Sequence, residues 1–329
     1  MLTKIANPIY DSVFKYLMED NRSAKVVLSR LLQKPVLELT MKRNEYTKAT
    51  KEDISVYRID FAATILNKDL DGSEKKELVT IELQKAWLPS EVARFRKYLS
   101  NQYSAEDNSY IISEKPLRKQ PMHIITIYLL GHSLPELNHS VTYVYPRLFD
   151  QYQAPLNVNS SNVPFVDALV HDMIIVQIPL LKGTKIESYL DSLLSVFDQS
   201  NVSGASKQEM NVDETLYNTD DEVKAVVQRL KSAYVDDETR QSMQIEDEYA
   251  SVIDDYEERL AIQKEQLNAK NEQLSAQKEQ LSVQKEQLSA QKEQLKTSIK
   301  MLYDAGIPVD QIATSLKADI EFVKSVVGK

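Results

Sequence analysis

Five seven-residue units stand end to end between Gln263 and Thr297: QKEQLNA, KNEQLSA, QKEQLSV, QKEQLSA and QKEQLKT. Leucine recurs at every seventh position from Leu260 to Leu302, with no Gly or Pro between. Lys, Glu, Gln, Leu and Ala all favour helix, so this stretch is constrained to one long helix. If leucine occupies d, the a positions are Lys264, Asn271, Lys278, Lys285 and Lys292, which are poor seam residues. Ala269, Ala276, Val283 and Ala290 lie two residues after each leucine, roughly 200° round the helix. The pattern predicts a weak coiled coil, or packing on two partners, rather than a strong dimeric zipper. A solvated single helix is the plainer reading of the same residues.

The rest of the 329-residue chain has room for one large domain or two ordinary ones. It has no cysteine, which removes disulfides, thiolate nucleophiles and zinc-thiolate sites and fits a reducing compartment. With six glycines it contains no glycine-rich phosphate loop. Its four histidines (His123, His132, His139 and His171) lack ligand spacing such as HExxH, and they read as capping or packing residues. No stretch reaches 18 apolar residues and the N-terminus lacks a signal-peptide pattern, so a soluble cytoplasmic protein with no membrane segment is expected. The net charge of −9 is split unevenly, with residues 1–120 at +4 and residues 121–329 at −13. The first part can approach a polyanion; the remainder would repel one.

Periodicity predicts two helical stretches over 8–33, broken near Asp20-Asn21. Strands are predicted at 53–66 and 78–86, paired antiparallel across a hairpin signalled by Asp71-Gly72. Pro89 closes the second, and a helix capped by Ser90 follows. The apolar run 122–130 reads as a central strand, with further strands at 141–145 and 173–180 and helices at 185–198 and 221–234. The polar stretch 200–211 reads as a linker. Past the heptads, Gly306 and Pro308 divide a small helical tail that resembles a helix-turn-helix but carries few basic residues. The domain expectation is 1–200, a linker and helical region over 201–254, the heptad helix over 255–300, and the tail over 301–329.

The chemistry lies in "TIELQKAW". Side chains alternate across a strand, so Glu82 and Gln84 share one face while Ile81, Leu83 and Lys85 share the other. If the two predicted strands are neighbours, Asp60 and Glu82 converge. Two buried carboxylates repel unless a divalent cation lies between them. Mg²⁺ accepts one or two carboxylates together with waters and a phosphate, the ligand set of metal-assisted phosphodiester hydrolysis. The competing structural reading is a polar pair on an edge strand, satisfied by hydrogen bonds. Tyr143, Tyr145 and Tyr152 near Arg147 can line a nucleic-acid groove or pack, and Trp87 reads as a packing plug.

Asp60 followed by Glu82-x-Gln84 resembles the PD-(D/E)XK nuclease signature in its ExQ form. "YDSVFKYLM", with Asp11, Phe14 and Lys15, resembles the DxxFK opening of the PD-(D/E)XK nuclease family transposases, also called Rpn recombination-promoting nucleases. "RFRKYLSNQY" (Arg94, Tyr98, Tyr103) and the late strand "DMIIVQIPLLKG" resemble later segments of that family, and the resemblance spans roughly residues 7–200. It implies an α/β restriction-endonuclease-like core, with a mixed sheet flanked by helices, and Mg²⁺-dependent DNA endonuclease activity, with Mn²⁺ or Ca²⁺ as alternative ions. Carried over by position, Asp60 and Glu82 ligate the metal, the Leu83 carbonyl is a third ligand, and Gln84 takes the place of the usual catalytic Lys. Gln84 carries no charge, so charge stabilisation falls to Arg94, Lys97 or the metal. Asp11 either completes the acidic cluster or caps its helix.

The function implied is DNA cleavage linked to recombination, mobile elements or phage defence. The alternative is an inactive nuclease-fold scaffold that acts through its coiled coil. Expected partners are DNA, a second copy through the heptads, and a C-terminal fragment of the chain itself initiated at Met243.

Overall fold

The computed structural model describes residues 2–46, 57–68, 73–86, 92–114, 116–183, 185–204 and 206–328. They form two compact units, Met1–Ala250 and Ser251–Lys329.

The first unit is α/β. Its strands are β1 (Leu2–Ala6), β2 (Val36–Tyr46), β3 (Tyr57–Lys68), β4 (Glu74–Ala86), β5 (Ser109–Glu114), β6 (Leu117–Pro121), β7 (His123–Leu130), β8 (Val141–Val144), β9 (His171–Gln177) and β10 (Glu209–Asp213). Its helices are α1 (Asp11–Glu19), α2 (Asn21–Leu32), α3 (Val92–Ser104), α4 (Pro164–Asp167), α5 (Tyr189–Leu194) and α6 (Asp221–Val235), followed by the start of α7 (Asp237–Asp304). Six strands make a mixed sheet in the order β2-β3-β4-β7-β9-β8. Strands β4, β7 and β9 run parallel, and the other pairings are antiparallel. All eight residues of β7 are buried, as a central parallel strand covered on both faces requires.

The break between α1 and α2 falls at Asp20, whose side chain accepts from Ser23 N at 2.9 Å and so caps α2. The apolar faces of both helices, with Phe14, Leu17, Leu28 and Leu31, pack on Ile59, Phe61, Ile81, Leu83 and Ile127 of the sheet. The opposite face of the sheet carries a smaller cluster in which Phe95 of α3 packs on Tyr128, their ring centroids 4.9 Å apart. A buried polar network anchors the end of α3 there. Asn108 donates to the Gln102 carbonyl at 3.0 Å, and its Oδ1 accepts from Thr80 at 3.1 Å and Lys42 at 2.7 Å.

Several expectations change. Residues 201–254 are not a separate linker region: β10 pairs with β1, α6 packs on α1 and α2, and Met243 is buried in the same core. The helix predicted over 185–198 is only the short α5 followed by a single tighter turn. The strand predicted to run to 180 ends at Gln177. The Asp71-Gly72 turn, Trp87, Pro89 and the Ser90 cap lie outside the described residues.

The second unit holds the heptads and tail. Helix α7 begins well before the repeat and continues through it without a break. Leu260, Leu267, Leu274, Leu281 and Leu288 are all at least half exposed. Past Gly306, at φ 85° in the left-handed region, α8 (Val309–Leu316) and α9 (Ile320–Val327) close a small core with the end of α7. Ile299, Ile312 and Val323 are fully buried there, among Leu295, Leu302, Phe322 and Val326. Among the described residues no helix is long and apolar enough to cross a membrane.

Candidate functional site

Strand β4 holds a row of polar side chains in an otherwise apolar interior. Glu82, Gln84 and Lys85 are each at most 1% exposed, as is Asp60 on β3. Hydrogen-bonded register puts Asp60 directly opposite Glu82. Facing residues of an antiparallel pair hold their Cβ atoms about 5 Å apart, so the two side chains leave the ladder side by side on the α3 face. Gln84 lies beside them and donates its amide N–H to Glu82 Oε1, while its own Oε1 is buried and accepts no hydrogen bond among the described residues. On the neighbouring strand, Thr126 stands in register with Glu82 and Tyr128 with Gln84. Burial first, and the Glu82 charge in addition, pushes the Tyr128 phenol up to about 12.

The structure brings together Asp60, Glu82 and Gln84. Leu83 lies in the ladder between Ile59 and Ile127, its side chain in the opposite core and its backbone level with Glu82 and Gln84. Arg94 is half-buried on α3, beside the Phe95 that packs on Tyr128, and Lys97 is exposed. Since β4 lies between β3 and β7 and is buried on both faces from Val79 to Lys85, the edge-strand reading of the pair does not hold.

Asp11 does not join the acidic pair, and it is not its helix's cap, a position held by Tyr10. Its carboxylate lies 2.6 Å from Lys85 Nζ, on the α1 face of the strand. Lys85 also donates to the Ile9 carbonyl, and its ammonium stands 5.7 Å from the centroid of the Phe14 ring. Glu246 of α7 completes this cluster by accepting from Asp11 N at 2.7 Å and Ser12 N at 2.9 Å. Burial, and then the adjacent Asp11 charge, raise the Glu246 carboxyl above its ordinary value.

Among the described residues no three His, Asp or Glu side chains converge into a metal-binding cluster. The register instead sets two carboxylates side by side, with a buried amide oxygen two residues along that has no donor among the described residues. Hard oxygens suit Mg²⁺ or Mn²⁺, which keep several waters and need one or two carboxylates.

A second cluster was invisible in the sequence. His123, at the start of β7, lies 2.8 Å from Asp167 and 3.4 Å from Asp172. Burial pulls the imidazole down, but the two adjacent carboxylates outweigh it and push it up to about 10. His171 is pulled below its ordinary value by burial and by the His123 charge. His123 and Asp172 line a cavity of about 430 Å³ together with Lys34, Glu77, Tyr145 and Arg147. Tyr143 stacks on Tyr145 and donates to the Leu31 carbonyl, so it packs, whereas Tyr152 is exposed outside the cavity.

No family model, curated protein or solved structure matches this chain.

Proposed function

We propose that the chain is a metal-dependent DNA endonuclease with a restriction-endonuclease-like core, in which Asp60 and Glu82 hold Mg²⁺. The observation that carries this reading is the register pairing of Asp60 with Glu82, with the Gln84 amide bonded to the same carboxylate. A bound divalent ion would supply an activated water and shield the charge developing on the leaving oxygen. Gln84 fixes the Glu82 carboxylate through one oxygen, and its free amide oxygen can accept from the attacking water. Thr126 flanks the pair from β7, and Arg94 and the Leu83 carbonyl remain candidates for phosphate and metal contact. The excess of Lys and Arg over residues 1–120 suits a polyanionic substrate.

The acidic pair is closed to solvent, so a scissile phosphate reaches it only when the cover on that face, including α3, moves. That closure, with the exposed leucine stripe, favours a second reading: a nuclease-fold scaffold that works through a second copy or a C-terminal fragment of the chain. Supercoiled plasmid incubated with wild-type protein and with Glu82→Ala separates them. The nuclease reading expects cutting that needs both Mg²⁺ or Mn²⁺ and Glu82. Cutting unchanged by EDTA and by Glu82→Ala would refute the site, and a wild type that never cuts leaves the scaffold reading in its place.

A further inference from the structure

Lys85 follows Gln84 directly but points the other way, into a cluster of buried charge. The ammonium and the Asp11 carboxylate are 1% and 3% exposed and 2.6 Å apart. Burying ions costs several kcal/mol each, and an apolar plug of the same volume is often at least as stable. What the charged solution adds is geometry. The ammonium ties the end of β4 to the Ile9 carbonyl and to Asp11, the first residue of α1.

The same helix start is held from the other side by α7. The first backbone N–H groups of a helix have no partner within it. Two of them, at Asp11 and Ser12, donate to Glu246. One residue on, Asp247 accepts from the Tyr10 hydroxyl at 2.5 Å and from Gln208 at 2.6 Å. Among the described residues, the charged groups facing Lys85 include Asp11 and Glu246, with the Phe14 ring alongside and the Tyr10–Asp247 pair next to Glu246 in sequence. The sequence hides all of this, because Asp11 and Glu246 are 235 residues apart.

We propose that Glu246 and Asp11, acting through Lys85, form a positioning relay that holds the end of β4 carrying Glu82 and Gln84 and makes its order depend on the seating of the first turns of α7. These are positioning residues, since none of them lies on the α3 face with the acidic pair. Lys85 and Gln84 share one peptide bond, so a shift at the ammonium anchor moves the Gln84 amide and the Glu82 carboxylate to which it is bonded. A displacement of about 1 Å at a reacting group can cost about a hundredfold in rate. The relay rests on the nuclease reading only for what it positions; the mechanical link stands apart from it.

Hydrogen exchange on the full-length protein tests the link. Wild type is compared with Glu246→Ala, Lys85→Met, Lys85→Arg and the distant control Leu274→Ala. Peptides covering residues 78–86 should exchange about tenfold faster in Glu246→Ala and Lys85→Met, and near the wild-type rate in Lys85→Arg and Leu274→Ala. Should Glu246→Ala fail to fold, Glu246→Gln keeps one acceptor and should show a smaller change in the same peptides. Faster exchange confined to residues 7–13 and 237–250, with 78–86 unchanged, overturns the relay. Mn²⁺ titration of the same proteins keeps the two claims apart. A wild type that binds no Mn²⁺ sinks the nuclease reading, and the exchange data still decide the relay. If the wild type binds Mn²⁺, Glu246→Ala should weaken binding about tenfold, and unchanged affinity counts against the relay.

Discussion

Raising the pH should loosen the first unit through one residue, His123. Its folded-state pKa is pushed up to about 10, from an ordinary value of 6.5, because the carboxylates of Asp167 and Asp172 outweigh the cost of burial. Between those two values the folded chain keeps a proton that the unfolded chain has released. Stability from this group is therefore complete below pH 6.5 and falls as pH rises, until the imidazolium titrates near pH 10. Each pH unit in the window costs about 1.4 kcal/mol, and the whole window at most about 5 kcal/mol. For a unit of this size, that is a fall in melting temperature of about 3–5 °C per pH unit. Differential scanning calorimetry of wild type and His123→Gln at several pH values from 6.5 to 9.5 isolates the effect, because other titrations are common to both proteins. The wild type should lose stability steadily and the variant should not. Parallel curves for the two proteins would refute the account of His123 as an imidazolium clamped between two carboxylates.

Lys85→Met removes the cation facing Asp11 and Glu246, and breaking such a buried pair should cost about 3–5 kcal/mol. Adding Asp11→Asn should recover part of that loss in urea unfolding, whereas independent sites would give additive losses. Glu246, whose carboxyl is raised above 4.5 in the folded state, contributes most below that value and loses its contribution as pH rises through its folded pKa. The stability advantage of wild type over Glu246→Gln should therefore shrink as pH rises from 4.5, in calorimetric scans. Ile312 is fully buried in the tail core, so Ile312→Asp should unfold residues 299–327 while leaving the melting of the first unit unchanged.

Local patterns carried the elements whose stabilising contacts are near in sequence. The Asp20 break, the antiparallel pairing of β3 with β4, the apolar run of β7 and the helices of the tail all follow from periodicity and capping. The parity of Glu82, Gln84 and Lys85 along a strand also placed the first two on one face and Lys85 on the other, as the contacts of the folded chain require. Long-range pairing was not legible. Leu2–Ala6 is too short and mixed to read as a strand, and Glu209–Asp213 sits inside a polar stretch, yet each supplies the other's ladder. Asp11 reads as part of a nuclease-like opening, but its partner is set by how α1 meets β4, which spacing does not encode. His123 opens an apolar run like any packing residue, and its two carboxylates arrive from α4 and β9.

The claim that Asp60 and Glu82 are paired to hold a cation is tested most directly by isothermal titration of Mn²⁺ into the full-length protein, beside Asp60→Asn and Glu82→Gln, all prepared in EDTA and dialysed free of it. The account predicts saturable binding by the wild type, and loss of that binding in both variants with their melting temperatures retained. Equal Mn²⁺ binding by all three proteins, or none by the wild type, would contradict it and leave the two carboxylates as structure.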